Sequence, residues 1–307
     1  MQLRPNKQGD NAKLILHKTV VRQVEALVKL MRVGQPGQEK PAILDADGKV
    51  RDLSQHVADI GGAARSPEGL AKLAALDART LPELQVNRIG ACVAGTGKFI
   101  CIGLNFSDHA AETGATVPPE PVIFMKATSA ICGPNDDVII PRGSEKTDWE
   151  VELGVVIGKT AKYVSEADAM DYVAGYCVSH DVSERGFQTE RAGQWTKGKS
   201  CDTFGPIGPW LVTKDEIDDP QNLGMWLKVN GETMQDGSSK TMVYGVAFVV
   251  SYLSQFMSLQ PGDVISTGTP PGVGMGMKPP RYLKPGDVVE LGIERLGSQR
   301  QTFVADR

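Results

Sequence analysis

The sequence predicts an α+β fold that is mostly β, with a small N-terminal α/β domain ahead of a larger β-rich one. Three observations carry that expectation. From Gly95 onward, apolar runs of strand length recur at 99–102, 122–125, 138–140, 151–157, 173–178 and 288–293, bounded by Gly or Pro. The 34 glycines and 19 prolines fall in tight clusters, as many short strands joined by turns require. Two segments of this region read as helices: 165–172, with Glu166 and Asp168 in its first turn, and 246–256.

Taken in order, residues 1–13 are polar and patternless, and 14–31 place Leu16, Val20, Val24, Leu27 and Met31 at helical spacing. Arg4, Lys7, Lys13, Lys18 and Arg22 outnumber Asp10 before Glu25, which fits a targeting peptide. The preferred reading is blander: residues 1–27 are an extension outside the fold, and their helical face is incidental. Residues 28–94 form the small domain. Short strands are expected at 31–33 and 42–44, with a turn at Asp45-Ala46-Asp47-Gly48. Ser66-Pro67-Glu68 opens a helix with a good cap and an early acid, continued by 70–76. His56 has no evident partner and reads as a surface or packing histidine. The β-rich domain occupies 95–307.

Composition narrows the function. Hydrophobic residues make up 41% and charged residues 23%, ordinary values for a soluble globular chain long enough to bury a full core. A net charge of −4 gives no reason to expect nucleic acid or an anionic membrane as partner. No run approaches the roughly 20 apolar residues of a membrane helix. The five cysteines are an odd number, scattered and never spaced C-x-x-C, which suits reduced thiols in the cytoplasm better than a disulfide frame or a zinc site.

The first chemical signal is Trp149-Glu150-Val151-Glu152-Leu153. Residues two apart in a strand share a face, so Glu150 and Glu152 point one way while Val151 and Leu153 point the other. An E-x-E alone fits a half-exposed strand with solvated glutamates. Here the apolar run 153–157 argues for burial, and two carboxylates side by side repel unless a cation or proton intervenes. A second strand, 173–178, leads to Asp181-Val182-Ser183-Glu184-Arg185, with Asp181 at an exposed end where either a turn or function is common. Three carboxylates without cysteine or a histidine pair suit a hard cation, Mg²⁺, Mn²⁺ or Ca²⁺, rather than zinc. Farther upstream, His109 and Glu112 are three residues apart and share a face if a helical turn forms there. Such a pair is either a surface ion pair or a general base with its orienting carboxylate. Two glycine-rich stretches are set aside as turns. Gly95-Thr96-Gly97-Lys98 lacks the first glycine of a phosphate loop, and 272–276 lacks the spacing and βαβ setting of a dinucleotide fingerprint.

Several blocks then occur in a telling order: Gly103-Leu104-Asn105-Phe106-Ser107-Asp108-His109 with Glu112, and Pro121-Val122-Ile123-Phe124-Met125-Lys126. After these come Glu150-Val151-Glu152-Leu153-Gly154, Asp181-Val182-Ser183-Glu184-Arg185 with Gln188, Lys197-Gly198-Lys199-Ser200, and Thr267-Gly268-Thr269-Pro270. Over residues 96–293, about two-thirds of the chain, this series resembles the fumarylacetoacetate hydrolase family. The resemblance implies a mixed β-roll, a homodimer, and Glu150, Glu152 and Asp181 as ligands of Mg²⁺, with Mn²⁺ or Ca²⁺ as alternatives. It implies His109 and Glu112 as a catalytic pair on a lid over 110–121, and Lys199 as the group assisting at the reacting carbonyl. Lys126, Arg185, Gln188 and Thr269 match positions that hold substrate or support the site. The family often has Asn where this chain has His180, which should face away from Asp181 and is not assigned a catalytic role. The opening 28–32 also resembles the family's usual start, placing it at Val28.

The implied activity is hydrolysis of a carbon–carbon bond in a small 2,4-diketo acid. The stretches 147–150 and 201–210 look most like bacterial members acting on 2,4-diketo-3-deoxy-rhamnonate or -fuconate, giving pyruvate and lactate. Ureidoglycolate lyase, oxaloacetate decarboxylase and hydratase activities are alternatives on the same platform. A non-catalytic metal-binding protein is the alternative of another class.

Overall fold

The computed structural model describes residues 28–108, 112 and 117–306, so the extension 1–27 lies outside the described residues. Two sheets organise the chain. The larger has ten strands, in the order Val50–Asp52, Lys40–Leu44, Lys29–Val33, Gly205–Thr213, Val173–His180, Val151–Ile157, Val264–Ser266, Phe99–Gly103 and Val122–Lys126, with Ile131–Cys132 pairing alongside Gly205–Thr213. Along the main path all neighbours are antiparallel except Val264–Ser266 with Phe99–Gly103. The smaller sheet has five strands, in the order Glu232–Ser238, Gly224–Val229, Val288–Ile293, Gly297–Ala305 and Val138–Ile140. This is the mostly β, α+β architecture the sequence predicts.

The central strands explain their own composition. Val151–Ile157 and Val173–His180 are buried at every residue, so each reads as a continuous apolar run rather than an alternation. Their neighbour Gly205–Thr213 was not expected as a strand, because Gly205, Pro206, Gly208 and Pro209 read as turn residues. It nevertheless buries eight of its nine residues, both prolines included, and pairs on both sides, with Lys29–Val33 and with Val173–His180. Through that pairing the strands of residues 28–94 extend the large sheet instead of closing one of their own among the described residues.

The helices differ from expectation at one place. Pro67–Ala74 forms, with the Ser66 hydroxyl accepting from the Gly69 amide at 3.1 Å, and so does Val246–Phe256. Segment 165–172 does not form an α-helix: only Ala169–Tyr172 is helical, as a 3₁₀ turn. The Ser165 hydroxyl donates to Asp168 Oδ2 at 2.6 Å and accepts from the Asp168 amide at 3.3 Å, closing a local turn that competes with helical bonding. The chain then enters the next strand at Val173. No helix among the described residues is long and apolar enough to cross a membrane.

Candidate active site

The acidic centre follows from strand alternation at the end of two adjacent strands. Val151 and Leu153 enter the core, while Glu150 and Glu152 leave the opposite face, 6% and 2% exposed. The Asp181 amide donates to the Glu150 carbonyl at 3.0 Å, which brings the end of the neighbouring strand beside the first glutamate. Carboxylate oxygens of Glu150, Glu152 and Asp181 lie within 4.8 Å of one another, all buried.

Basic groups compensate this charge. Lys199, at the end of the short helix Thr196–Lys199, donates to Glu150 Oε2 and Asp181 Oδ2, both at 2.7 Å. Lys126, from the edge strand Val122–Lys126, pairs with Asp181 and donates to the Val182 carbonyl at 2.9 Å. Helix Arg185–Thr189 is capped by Glu184, which accepts from the Gly186 amide at 2.9 Å, and its one turn brings Arg185 and Gln188 onto the same face. Arg185 donates to Asp148 Oδ2 at 2.8 Å and to Gln188 Oε1 at 3.1 Å. Its Nη2 lies 2.7 Å from Glu150 Oε1 as an ion pair outside hydrogen-bond geometry.

The charges are unequally balanced. Burial opposes ionisation of Glu150, but Lys199 and Arg185 outweigh it and hold its pKa at about 2. Glu152 is pushed well above the usual carboxylate range by burial and by the charges of Asp181 and Glu150. Its one described backbone donor is the Gly268 amide, at 2.9 Å. Gly268 adopts φ +99°, a conformation that favours glycine, and a Cβ there would stand 2.9 Å from that of Asn105. Three buried oxygen donors, with no thiol or imidazole among them and one carboxylate burdened by two like charges, fit a hard divalent cation.

A cleft of about 270 Å³ opens over this centre, lined on its polar side by Glu150, Glu152, Arg185, Gln188, Lys199 and Thr269. Thr269 is there by a different route from the others: its hydroxyl donates to the Val151 carbonyl at 2.9 Å and accepts from Gln235 at 2.8 Å, so it braces the strand. Glu112 stands apart from the acidic centre. It is exposed, and its carboxylate accepts from the Gly272 amide at 3.0 and 3.1 Å. His109 lies outside the described residues. His180 is fully buried, with Nδ1 3.0 Å from Gln301 Oε1 and Phe303 edge-on to the ring. Burial drops its pKa to about 4, so it is a neutral packing group.

Asp148 is the residue the sequence reading missed. Fully buried, it accepts from Arg185 Nε and from the backbone amides of Gly274 at 2.7 Å and Met275 at 3.0 Å. It thereby ties the site arginine to the loop that Glu112 touches at Gly272. A signal existed in the two-residue spacing of Asp148, Glu150 and Glu152, although Asp148 belongs to a separate short strand, Thr147–Asp148, that pairs with Ser183–Glu184.

The comparisons with known proteins agree with this construction. The model of the fumarylacetoacetate (FAA) hydrolase C-terminal family matches residues 98–304. A Burkholderia multivorans protein named as a hydrolase is 64% identical over 282 residues, 91% of this chain and 100% of that one. Among solved structures, the fumarylacetoacetate hydrolase of Exiguobacterium antarcticum is 35% identical with a TM-score of 0.81, over 91% of this chain and 100% of its own. The 2-hydroxyhepta-2,4-diene-1,7-dioate isomerase of Mycobacterium marinum is 31% identical with a TM-score of 0.73, over 91% and 99%. A match spanning both sheets and every described member of the acidic centre has one reading: the chain belongs to the fumarylacetoacetate hydrolase family.

Proposed function

We propose that the chain hydrolyses the C3–C4 bond of a 2,4-diketo acid, adding water across it to give pyruvate and a second carboxylic acid. The observation that carries this reading is the buried triad Glu150, Glu152 and Asp181 with Lys199 at the floor of a cleft sized for a small acid. A divalent cation held by those three carboxylates, Mg²⁺ in this proposal, supplies Lewis acidity toward the C1 carboxylate and C2 oxygen of the substrate. Arg185 orients the acid head, and Gln188 contacts the substrate beyond it. His109, oriented by Glu112, takes a proton from the water that attacks C4. Lys199 then stabilises the oxyanion formed at C4, and C3 leaves with the bonding pair as the enol of pyruvate. The preferred substrates are 2,4-diketo-3-deoxy-rhamnonate or -fuconate, which would leave lactate. The proposal includes a cytoplasmic homodimer.

A second reading is favoured by the solved relatives named as isomerases, which suggest double-bond migration on the same platform. Pyruvate release from a panel of diketo acids separates the two, because isomerisation releases none. Turnover should vanish with EDTA, return with Mg²⁺ or Mn²⁺, and be absent in Glu150→Gln and Asp181→Asn. Full activity after thorough chelation would remove the metal from the proposal, and absence of pyruvate from every diketo acid would remove hydrolysis.

A further inference from the structure

The part of the cleft beyond the acid head is lined by Leu104, Phe124, Trp195 and Met275, with Gln188 and Thr189 as its neutral polar groups. This wall is built, not incidental. Trp195 rests on Gly103, where a Cβ would stand 2.5 Å from the indole Cζ3, and meets Phe124 edge-on with ring centroids 5.3 Å apart. The Met275 amide bonds to Asp148 Oδ2, the same oxygen that accepts from Arg185 Nε. Met275 and the head-binding arginine are thus held in register by one carboxylate.

The cations that line the cleft lie at the acidic centre. Lys199 lies between Glu150 and Asp181, and Arg185 between Asp148 and Glu150. Beyond the rim, Lys146 pairs with Glu190, and the Arg191 guanidinium sits 4.4 Å from the Phe187 ring centroid. The sequence from 99 to 125 contains no lysine or arginine, and its one basic side chain, His109, is the neutral base of the proposed reading. A second carboxylate on the substrate would stand against aromatic and thioether groups, and the cation nearest that wall, Lys199, 5.0 Å from the Phe124 ring centroid, is held between Glu150 and Asp181.

We infer that this cleft selects 2-oxo acids whose tail is uncharged, and discriminates against dioates of the kind for which the isomerase relatives are named. The inference rests on the proposed reading of the acidic centre as the head-group site. Neutral groups such as the hydroxyls of a sugar-derived tail have Gln188 and Thr189 beside them, while methyl or methylene groups face Trp195 and Met275.

The test uses ligands of equal length that undergo no cleavage. Binding of 2-oxohexanoate and of 2-oxoadipate is measured by calorimetry on the full chain in Mg²⁺. The uncharged ligand should bind at least ~10-fold tighter, a modest threshold for an unpaired buried carboxylate. Met275→Arg, which places a cation at a partly exposed position on the rim, should tighten 2-oxoadipate and narrow that ratio. Trp195→Ala should weaken 2-oxohexanoate selectively. Equal affinities, or tighter binding of 2-oxoadipate, would overturn the inference. Because no bond is broken, failure here is distinct from failure of the hydrolase reading, which the pyruvate-release panel decides.

Discussion

At the residue scale, the division of labour between the cation-binding centre and the His109–Glu112 pair can be tested directly. Hydrolysis of a diketo acid needs stabilisation of the departing enol and also an activated water. Decarboxylation of oxaloacetate needs only the first, since CO₂ leaves without a nucleophile. His109→Ala should therefore cut diketo-acid hydrolysis by ~10²–10⁴-fold, the range typical of general-base loss. Any oxaloacetate side activity should fall much less, and Mg²⁺ affinity measured calorimetrically should stay nearly the same. Glu112→Gln should act in the same direction but more mildly, since its role is to orient. Hydrolysis within a few-fold of wild type in His109→Ala would exclude His109 as the base and leave His180 or a metal-bound hydroxide to replace it. Glu150 and Glu152 were legible because a two-residue period sorts side chains onto faces whatever the fold. Lys199 was not legible by itself: it is one of two lysines in Thr196–Lys199, and only the packing of that turn shows which one is buried against two carboxylates.

At the scale of elements, local chemistry decides some boundaries and sheet pairing decides others. Ser66 followed by Pro67 and Glu68 specifies a helix start that needs no tertiary support, and the helix then buries Leu73. Ser66→Ala leaves the Gly69 amide without its acceptor and should cost about 1 kcal/mol. In a chain of 307 residues that is about 1–2 °C in a thermal melt. Activity should be unchanged, because the helix is remote from the cleft. A melt indistinguishable from wild type would show that water replaces the cap without loss. Segment 165–172 shows the opposite case. Its acids and apolar residues fit a helix, yet a Ser165–Asp168 side-chain turn and the demand of the strand at Val173 leave only a 3₁₀ turn. Gly205–Thr213 was hidden for a related reason. Glycine and proline mark turns in isolated sequence, but a strand flanked on both sides tolerates them when Gln299 donates to the Gly208 carbonyl at 3.1 Å and the register shifts there, Tyr176 pairing with Val212 and Val178 with Gly208.

At the scale of the whole molecule, the described residues start where pairing starts. The Val28 carbonyl accepts from the Thr213 amide at 3.3 Å, and Lys29 and Leu30 pair with Val212 and Leu211. A chain beginning at Val28 is expected to keep its melting temperature and its activity. A fall of several degrees would show that the helical face of residues 16–31 packs on the body and would remove the reading of 1–27 as an extension outside the fold.

The sequence by itself determined the class of fold, most of the central strands, the helix at 246–256 and the pairing of Glu150 with Glu152, since periodicity and capping depend only on neighbours along the chain. The family resemblance extended that to Asp181 and Lys199. Tertiary structure alone decided that Lys29–Val33 joins the large sheet, that Asp148 bridges Arg185 to the 274–275 loop, and that Trp195 stands against Gly103 to form an apolar wall. Each of these joins residues tens to more than a hundred positions apart, and such contacts leave no period or local motif in the chain, because they exist only after the sheets have closed.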